Sequence, residues 1–272
     1  MSKNRIHMLK NFSLNQMQSF VIEEESGKIL VIDGGTTSDA EHLFEKLCEI
    51  TGTEAPHIDA WIFTHPHSDH MNAFFALIET KPNNFTFEHI YCCFPSIQYV
   101  STEEDGRITL SNFSRLSSYF AERVVVVSTD DVYTFGTAEM EILYSVDCSI
   151  KYNRVNNAST VFRLKLGGKS VLFLGDLGIE GGEKLLASKK EKLKSDICQM
   201  AHHGQEGVTE TFYQAVQPET CLWCAPGWLW DNDRGKGFNT HIYQTVIVRG
   251  WMEALGVKKH YVIKDGDQVI EC

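Results

Sequence analysis

Three histidines and an aspartate lie within six consecutive positions of the segment THPHSDH, residues 64–70. His65 and His67 directly follow the apolar run IDAWIFT, where an extended backbone can direct both imidazoles to one point. Asp69 and His70 begin a predicted helix and face a second point. Zinc takes imidazole nitrogens and carboxylate oxygens, and metal pairs about 3.5–4 Å apart serve hydrolases. The segment predicts two neighbouring metals; the alternative is a helix cap with surface histidines.

The elements that must position these side chains are alternating strand and helix patterns. Apolar and β-branched runs predict strands at 19–24, 28–35, 59–65, 86–93, 122–128, 140–145, 160–166, 170–176, 196–202 and 219–226. Helical patterns are present at 38–50, 70–81 and 241–255. A closing strand pair within 258–272 carries an Asp-Gly hairpin signal, whereas 95–112 and 226–239 are too irregular for core elements and are predicted to be lids or binding loops. These patterns predict two mixed sheets packed face to face, with helices outside.

Composition limits the class of partner. A net charge of −11 and a pI near 5.5 oppose binding to a nucleic-acid backbone. The N-terminal sequence has no apolar core of signal-peptide type, and no apolar run approaches the roughly 20 residues that span a bilayer, so we expect no membrane association. The eight cysteines form no dense framework, which predicts reduced thiols and a cytoplasmic protein.

Four motifs together resemble those of the metallo-β-lactamase superfamily. THPHSDH is similar to the second motif, LVIDGG to the first, SVLFLGDLG to the fourth and QMAHHGQ to the fifth, in the family's order from about residue 20 to 207. The resemblance implies an α/β (α+β) fold, a four-layer αβ/βα sandwich of two mixed β-sheets flanked by helices. It also implies one such domain over residues 1–272.

The resemblance implies a dinuclear centre, expected to hold two zinc ions, with manganese or iron as alternatives. The implied ligands are His65, His67 and Asp176 for one metal, and Asp69, His70, Asp176 and one of His202 and His203 for the other. We assign the ligand role to His202, and His203 is then expected to hydrogen-bond substrate or solvent. Asp33, in the first motif, is expected to support the site.

The family's third-motif histidine is missing. Between His70 and Asp176 the chain contains only His89, which lies in a predicted strand at the wrong point in the order. The segment RVNNASTVFRLKLGGKSVLFLGD in its place resembles the metallo-hydrolase domain of ComEC-type competence proteins and the related phosphorylcholine esterases. Asn156 or Asn157 could turn an amide toward the free ligand position; a turn before a strand is the alternative. An amide is a weaker zinc ligand than imidazole.

A dinuclear centre makes hydroxide available near neutral pH for attack on phosphorus or a carbonyl carbon. Asp69 could orient this hydroxide as well as bind metal, and Asn157 and His203 complete the catalytic residues expected near it. His241, at the predicted start of a late helix, could protonate the leaving group or bind an anionic substrate. An exposed histidine at a helix start is the alternative.

Two further patterns carry weaker functional signals. The loop PGWLWDNDRGKGF offers aromatic and cationic groups that suit a choline-like cation or an anionic phosphate, or that simply pack on the body: Trp228, Trp230, Arg234 and Lys236. Cys221 and Cys224 form a CxxC without a second pair, which favours buried structural thiols over a zinc or redox site.

The expected function is hydrolysis of a phosphoester or phosphodiester. The alternatives are a lactone or thioester hydrolase of the same fold, a non-catalytic metal-binding protein, and a flavodiiron-type redox protein, for whose flavin domain the chain lacks room. The expected partner is a small-molecule or phosphoester substrate. DNA uptake is not expected, because the charge is adverse and the membrane channel of full-length competence proteins is absent. A β-lactamase proper is not expected without the third histidine and a secretion signal.

Overall fold

Two mixed seven-stranded β-sheets form the centre of the protein, whose computed structural model describes residues 4–272. In chain order the strands are β1 (Arg5–Met8), β2 (Ser19–Glu23), β3 (Ile29–Asp33), β4 (His57–Ile62), β5 (Thr86–Cys92), β6 (Val124–Val126), β7 (Val132–Phe135), β8 (Ala138–Tyr144), β9 (Val161–Leu166), β10 (Lys169–Phe173), β11 (Ile197–Gln199), β12 (Thr220–Trp223), β13 (Lys259–Val262) and β14 (Gln268–Glu271). The strand order is β14-β1-β2-β3-β4-β5-β6 in the first sheet and β13-β12-β11-β10-β9-β8-β7 in the second.

Helices cover the outer faces of both sheets. They are α1 (Ala40–Thr51), α2 (Ser68–Thr80), α3 (Glu104–Ser117), α4 (Ile179–Lys189), α5 (Glu210–Val216), α6 (Gly227–Trp230) and α7 (Thr245–Ala254). Buried side chains of α1 and α2 pack on the first sheet, and those of α4, α5 and α7 pack on the second. The predicted four-layer sandwich is thereby confirmed. No helix in residues 4–272 is long and apolar enough to cross a membrane.

The central strands read as continuous apolar runs because both of their faces are buried. Along β2, Phe20 and Ile22 face the layer between the sheets, whereas Val21 packs among the helices. Phe173 of the second sheet lies 5.3 Å from Phe20 and 5.1 Å from Phe162, measured between ring centroids. This aromatic contact joins the two sheets below the predicted metal site.

The candidate site lies where carboxyl ends of strands from both sheets meet. Asp33 ends β3, THPHSDH follows β4, Asp176 follows β10 and HHG follows β11. The pairs β3–β4 and β10–β11 are parallel, so within each sheet these ends lie at the same edge. The backbone N–H of Thr160 donates to the carbonyl of Thr64 at 2.7 Å and connects the two edges.

The closing strands do not form the predicted hairpin. β13 extends the second sheet, where Tyr261 pairs in parallel with Leu222, whereas β14 joins the first sheet, where Ile270 pairs with Ile6. The Asp-Gly signal at 265–266 instead marks a chain crossing between the sheets. The Asp-Gly turn is compatible with a hairpin or with a crossing. The crossing forms because β13 and β14 each pair with a strand of a different sheet.

Both segments predicted to be irregular contain a helix: α6 (Gly227–Trp230) forms a single turn in the second, and α3 is a longer helix that begins in the first. α3 occupies 104–117, and its Leu110, Phe113 and Leu116 are buried. These apolar residues recur at helical spacing, but the polar residues between them and Gly106 obscured the pattern. Helices α4 and α5 and strands β1 and β7 were also not predicted. The late helix begins at Thr245, four residues after its predicted start.

Glu24 connects the turn after β2 to the turn between β7 and β8. Its carboxylate accepts hydrogen bonds from the backbone N–H groups of Ser26 at 2.8 Å and Thr137 at 2.9 Å, and from both hydroxyls. Burial alone would raise the pKa of Glu24, but these hydrogen bonds lower it from 4.5 to about 2. The carboxylate therefore stabilises the folded state at neutral pH.

Glu24→Gln is expected to lower the free energy of unfolding by on the order of 2–3 kcal/mol at pH 7. Because the folded pKa is lowered, this contribution is complete above pH 4.5 and is lost as the pH falls toward about 2. Urea unfolding at pH 7 and at successively lower pH measures it, with the exposed carboxylate variant Glu54→Gln as control. A difference between Glu24→Gln and the parent protein that is independent of pH would contradict this explanation.

Candidate metal centre

Asp33 fixes the orientation of the groups behind the cluster. It is fully buried at the end of β3, with φ of 57°. Its carboxylate accepts hydrogen bonds from Gln18 Nε2 at 2.9 Å, from Thr64 N and Oγ1 at 2.8 Å each, and from His70 Nδ1 at 2.7 Å. Nδ1 of His70 donates to Asp33, so its Nε2 faces the cluster. Burial would lower the pKa of His70, but the carboxylates of Asp176, Asp33 and Asp69 raise it well above 6.5, so a bound cation would displace a proton from Nε2.

Asp176 lies at the centre of four imidazoles. Its Oδ2 is separated from the four Nε2 atoms by 3.3 Å at His203, 3.4 Å at His70, 3.8 Å at His65 and 3.9 Å at His202. The side chains of Asp176, His65, His70 and His203 are at most 2% exposed. Side chains predicted from three separate motifs therefore converge on one carboxylate oxygen.

The glycine before Asp176 permits the close approach of the two sheet edges. Gly175 has φ of +54°, and a Cβ atom there would lie 2.8 Å from Cβ of Thr64. Its N–H donates to Oε1 of Gln199 at 2.8 Å, and the N–H of Asp176 donates to Oγ of Ser159 at 3.0 Å. These contacts hold the Gly-Asp turn at its position beside the histidines.

The HHG segment adopts a left-handed backbone that directs its two imidazoles differently. His202 and His203 have φ of 49° and 56°, and Gly204 has φ of +83°. A Cβ at Gly204 would lie 2.4 Å from Cε3 of Trp223, so only glycine fits there. His203 Nδ1 donates to the Cys224 carbonyl at 3.1 Å, which leaves Nε2 facing the cluster. Such backbone strain is common at functional sites.

Asp69 and His67 extend the cluster toward solvent. Asp69 Oδ2 lies 3.3 Å from Nε2 of His203, and its side chain is 17% exposed. His67 is half-buried, and its Nδ1 lies 3.1 Å from Nε2 of His65. The candidate ligand atoms fall into two groups, each with atoms within 4.8 Å of one another: His65, His70 and Asp176, and Asp69, His70 and His203.

Unpartnered buried atoms show that these residues fit a divalent cation. Within residues 4–272, four buried polar atoms at or beside the cluster lack a hydrogen-bond partner: His70 Nε2, His203 Nε2, Asp176 Oδ1 and Asn156 Oδ1. Such atoms are costly in a protein interior unless something satisfies them. Tetrahedral zinc with bonds of about 2.0–2.1 Å places its ligand atoms about 3.3 Å apart. The separations of 3.3 and 3.4 Å from Asp176 to His203 and His70 match this spacing.

The charges of the cluster favour ionised carboxylates. Burial alone would raise the pKa of Asp176, but the imidazoles of His203, His70 and His65 hold it well below its usual value. Burial would lower the pKa of His203, but the carboxylates of Asp176 and Asp69 raise it to about 9. A bound cation would therefore compete with a proton at His203.

Burial has the opposite outcome at His65 and His202. It lowers the pKa of His65 well below 6.5, an effect to which the charge of His70 adds. Burial also lowers the pKa of His202, although the carboxylate of Asp176 opposes the shift. Both imidazoles are therefore favoured as neutral groups at pH 7, and the neutral form is the one that binds metals.

The structure separates the two asparagines proposed for the free ligand position. Asn157 Oδ1 accepts from the N–H of Gly181 at 2.9 Å, and its Nδ2 donates to the Tyr152 carbonyl at 3.1 Å. The catalytic position expected for Asn157 is therefore corrected, because its amide is engaged at the beginning of α4. Asn156 instead lies beside the cluster, with Nδ2 3.5 Å from Nε2 of His202.

A cleft of about 370 Å³ opens onto the cluster. Its wall includes His67, Asp69, Asp176 and His202 from the cluster and Trp228, Arg234 and Tyr243 from the segment before α7. His241 is not part of this wall; its ring stacks on Tyr243 with centroids 4.8 Å apart. It is partly exposed and reaches the cleft only through its contact with Tyr243.

Sequence reasoning missed several residues of the cleft and its support. Gln18 and Asn15 lie in the segment before β2, which carries no recognisable motif. Asp105 lines the cleft from α3, the helix that was predicted to be irregular. Thr64 was visible as the first residue of THPHSDH, and its contact with Asp33 could have been inferred from their adjacent parallel strands.

Two mixed sheets with a buried His/Asp cluster at their joined strand ends define the metallo-β-lactamase fold. The model for the family described as "Metallo-beta-lactamase superfamily" matches residues 14–144. This match covers just under half of the chain and agrees with the superfamily that the four motifs resemble.

One relative and two solved structures are similar to the chain. The chain is 27% identical over 214 residues to ComE operon protein 3 of Bacillus subtilis (strain 168), a match covering 73% of this chain and 25% of that protein. The chain thus spans about a quarter of that relative's length. The metallo-β-lactamase fold protein YhfI from Bacillus subtilis superposes with a TM-score of 0.58 at 12% identity, covering 98% of this chain and 99% of that one. CmlA, a diiron β-hydroxylase from Streptomyces venezuelae, has a TM-score of 0.57 at 12% identity, covering 100% and 55%. At this identity the two structures show the fold alone.

Proposed function

We propose that this protein is a dinuclear metal-dependent hydrolase that activates water against a phosphoester or phosphodiester. The observation that carries the proposal is the position of Asp176, whose Oδ2 lies within 3.9 Å of four imidazole nitrogens. A carboxylate that lies beside imidazoles on both sides of the cluster suits a pair of metals, and a pair can stabilise both the attacking and the leaving oxygen of a phosphoryl group. The 27% identity to ComE operon protein 3 supports assignment to the ComEC-like subgroup.

We assign the ligands in two sets that share Asp176. The sets are His65, His67 and Asp176, and Asp69, His70, Asp176 and His203. His203 replaces His202, the residue assigned from sequence, because Nε2 of His203 is 3.3 Å from both Asp69 and Asp176. Nδ1 of His202 donates to the Glu206 carbonyl at 3.2 Å, so its Nε2 is then available to accept a hydrogen bond from water or a substrate hydroxyl in the cleft. Zinc suits this nitrogen-rich set, and iron and manganese are the other metals to test.

Bound divalent ions would supply a hydroxide at neutral pH and stabilise negative charge on the substrate. Asp69, which is partly exposed to the cleft, would orient the attacking water and accept its proton at Oδ1. The Asn156 amide, whose Nδ2 lies 3.5 Å from Nε2 of His202, would donate to a nonbridging oxygen. His241 would act through Tyr243, on which its ring stacks, rather than by touching the substrate.

We further propose that residues 1–272 form one domain that works in the cytoplasm. The inter-sheet core includes residues from both halves of the chain, such as Ile6, Phe20, Phe162 and Ile270. All eight cysteines are unpaired, which suits a reducing compartment.

The test is hydrolysis of bis-p-nitrophenyl phosphate by zinc-loaded protein before and after chelation. The proposal expects turnover that chelation abolishes and zinc, manganese or iron restores. A chromogenic lactone and a thioester serve as parallel substrates. Metal-dependent turnover of only those substrates would overturn the phosphoester assignment, and no turnover of any substrate at full metal occupancy would favour a metal-binding protein.

A further inference from the structure

A defined turn between α6 and α7 places the cationic side chain of Arg234 at the cleft. Oδ1 of Asp233 accepts hydrogen bonds from three successive N–H groups, those of Gly235 at 2.7 Å and of Lys236 and Gly237 at 2.9 Å each. Arg234 lies within this turn and lines the cleft. The turn therefore orders the backbone that carries Arg234 before any substrate binds.

Trp228 supports the guanidinium of Arg234. The guanidinium carbon lies 3.6 Å from the centroid of the Trp228 ring, and Nε1 of Trp228 donates to the carbonyl of Leu14 at 2.7 Å. The Trp228 ring also packs 5.5 Å from that of Tyr243. Stacking on an anchored indole limits the motion of the guanidinium and leaves its N–H edge free to donate.

No carboxylate neutralises this guanidinium within residues 4–272. A second stacked arginine in the same region differs in this respect. Arg249 lies 4.1 Å from the Trp230 centroid but donates to the Trp230 carbonyl at 3.1 Å, so its contacts are structural. Arg234 therefore presents unused donors at the cleft, and the aromatic face that a choline-like cation would need is already covered by a positive charge.

We propose that Arg234 forms an anion subsite in the cleft, so that the substrate carries a second anionic group, a carboxylate or a phosphate, apart from the group that reacts at the metals. This inference rests on the proposed function, because the cleft is the substrate site only if the cluster is the catalytic centre. Planar guanidinium donors bind carboxylate and phosphate groups in a bidentate manner, which gives geometric selectivity.

Calorimetric titration of zinc-loaded protein with three matched ligands tests the subsite. Propylphosphonate carries one anionic group, 3-phosphonopropionate adds a carboxylate, and ethane-1,2-diphosphonate adds a second phosphonate. We expect at least one of the two doubly anionic ligands to bind about tenfold more tightly than propylphosphonate. The ligand with the larger gain identifies the preferred second group.

Variants of the same turn provide the controls. Arg234→Gln is expected to remove the preference for doubly anionic ligands over propylphosphonate. Arg234→Lys is expected to keep only part of it, because lysine lacks the planar guanidinium that donates two parallel hydrogen bonds. Lys236→Gln removes a neighbouring cation that does not line the cleft and should retain the preference.

The outcomes separate this inference from the proposed function. Zinc-dependent binding of propylphosphonate with no gain from a second anion would overturn the subsite alone. The subsite would also be overturned if Lys236→Gln lost the preference for doubly anionic ligands as fully as Arg234→Gln. The general positive charge of the turn, and not a contact with Arg234, would then explain the tighter binding. If none of the ligands bound in a zinc-dependent way, both the subsite and the proposed function would be overturned.

Discussion

Replacing Asp176 with asparagine is expected to reduce kcat/KM for bis-p-nitrophenyl phosphate by at least about a thousandfold. The carboxylate is 2% exposed and its Oδ2 lies within 3.9 Å of all four imidazole Nε2 atoms, so its loss removes the charge shared by both proposed ligand sets. An amide also places an N–H2 donor in the cluster, where the nearby nitrogens of His70 and His203 are expected to bind metal. The measurement is steady-state hydrolysis at saturating zinc.

Asp265→Asn is the matched control for this variant. Its carboxylate is 56% exposed and pairs with Lys264, so the same chemical change there should leave turnover at the parental level. Circular dichroism and the unfolding midpoint establish that Asp176→Asn is folded before rates are compared. Turnover by folded Asp176→Asn within tenfold of the parent protein would contradict the shared-carboxylate mechanism.

Replacing Asp33 with asparagine is expected to weaken zinc binding by about 10–100-fold without removing any ligand. The side chain is fully buried and accepts four hydrogen bonds, one of them from Nδ1 of His70. An amide can accept only at its oxygen, so at least one donor from Thr64, Gln18 or His70 would face an N–H2 group. His70 would then lose the contact that directs Nε2 into the cluster. The loss of a buried charged acceptor should also lower the free energy of unfolding of metal-free protein by about 2–4 kcal/mol.

Asp196→Asn separates the two effects. The carboxylate of Asp196, directly before β11, accepts from the N–H and the hydroxyl of Ser170 at 2.7 Å each, away from the cluster. This variant should lose stability and keep parental zinc affinity. Zinc titration and urea unfolding of both variants measure the comparison. Unchanged zinc affinity in Asp33→Asn would show that the Asp33 contact does not orient the ligand.

The residues that converge on the cluster were predictable because each belongs to a short motif at a strand end. THPHSDH after β4, the Gly-Asp turn after β10 and HHG after β11 combine apolar strand patterns with side chains that a sheet edge brings together. The choice between His202 and His203 was not predictable, because it depends on the left-handed backbone at both residues and on the Cys224 carbonyl that orients one ring. Adjacent residues with the same side chain give no sequence signal for that difference.

Tertiary context explains the other differences between expectation and structure. Asn157 and Asn156 are neighbours in sequence, yet the amide of Asn157 contacts the N–H of Gly181 and that of Asn156 lies beside His202. The closing strands join different sheets because each finds a partner strand with a free edge there. In both cases the local sequence permits more than one arrangement, and contacts distant in the chain select between them.

Metal content measured by plasma mass spectrometry tests the central claim most directly. The protein and its Asp176→Ala variant would be purified without added metal, equilibrated with the same limiting free zinc and separated from unbound metal. The dinuclear assignment predicts about two ions per parental chain and a clear loss in Asp176→Ala, because both sets of ligands include Asp176. Fewer than one ion per parental chain, or equal content in the two proteins, would contradict it.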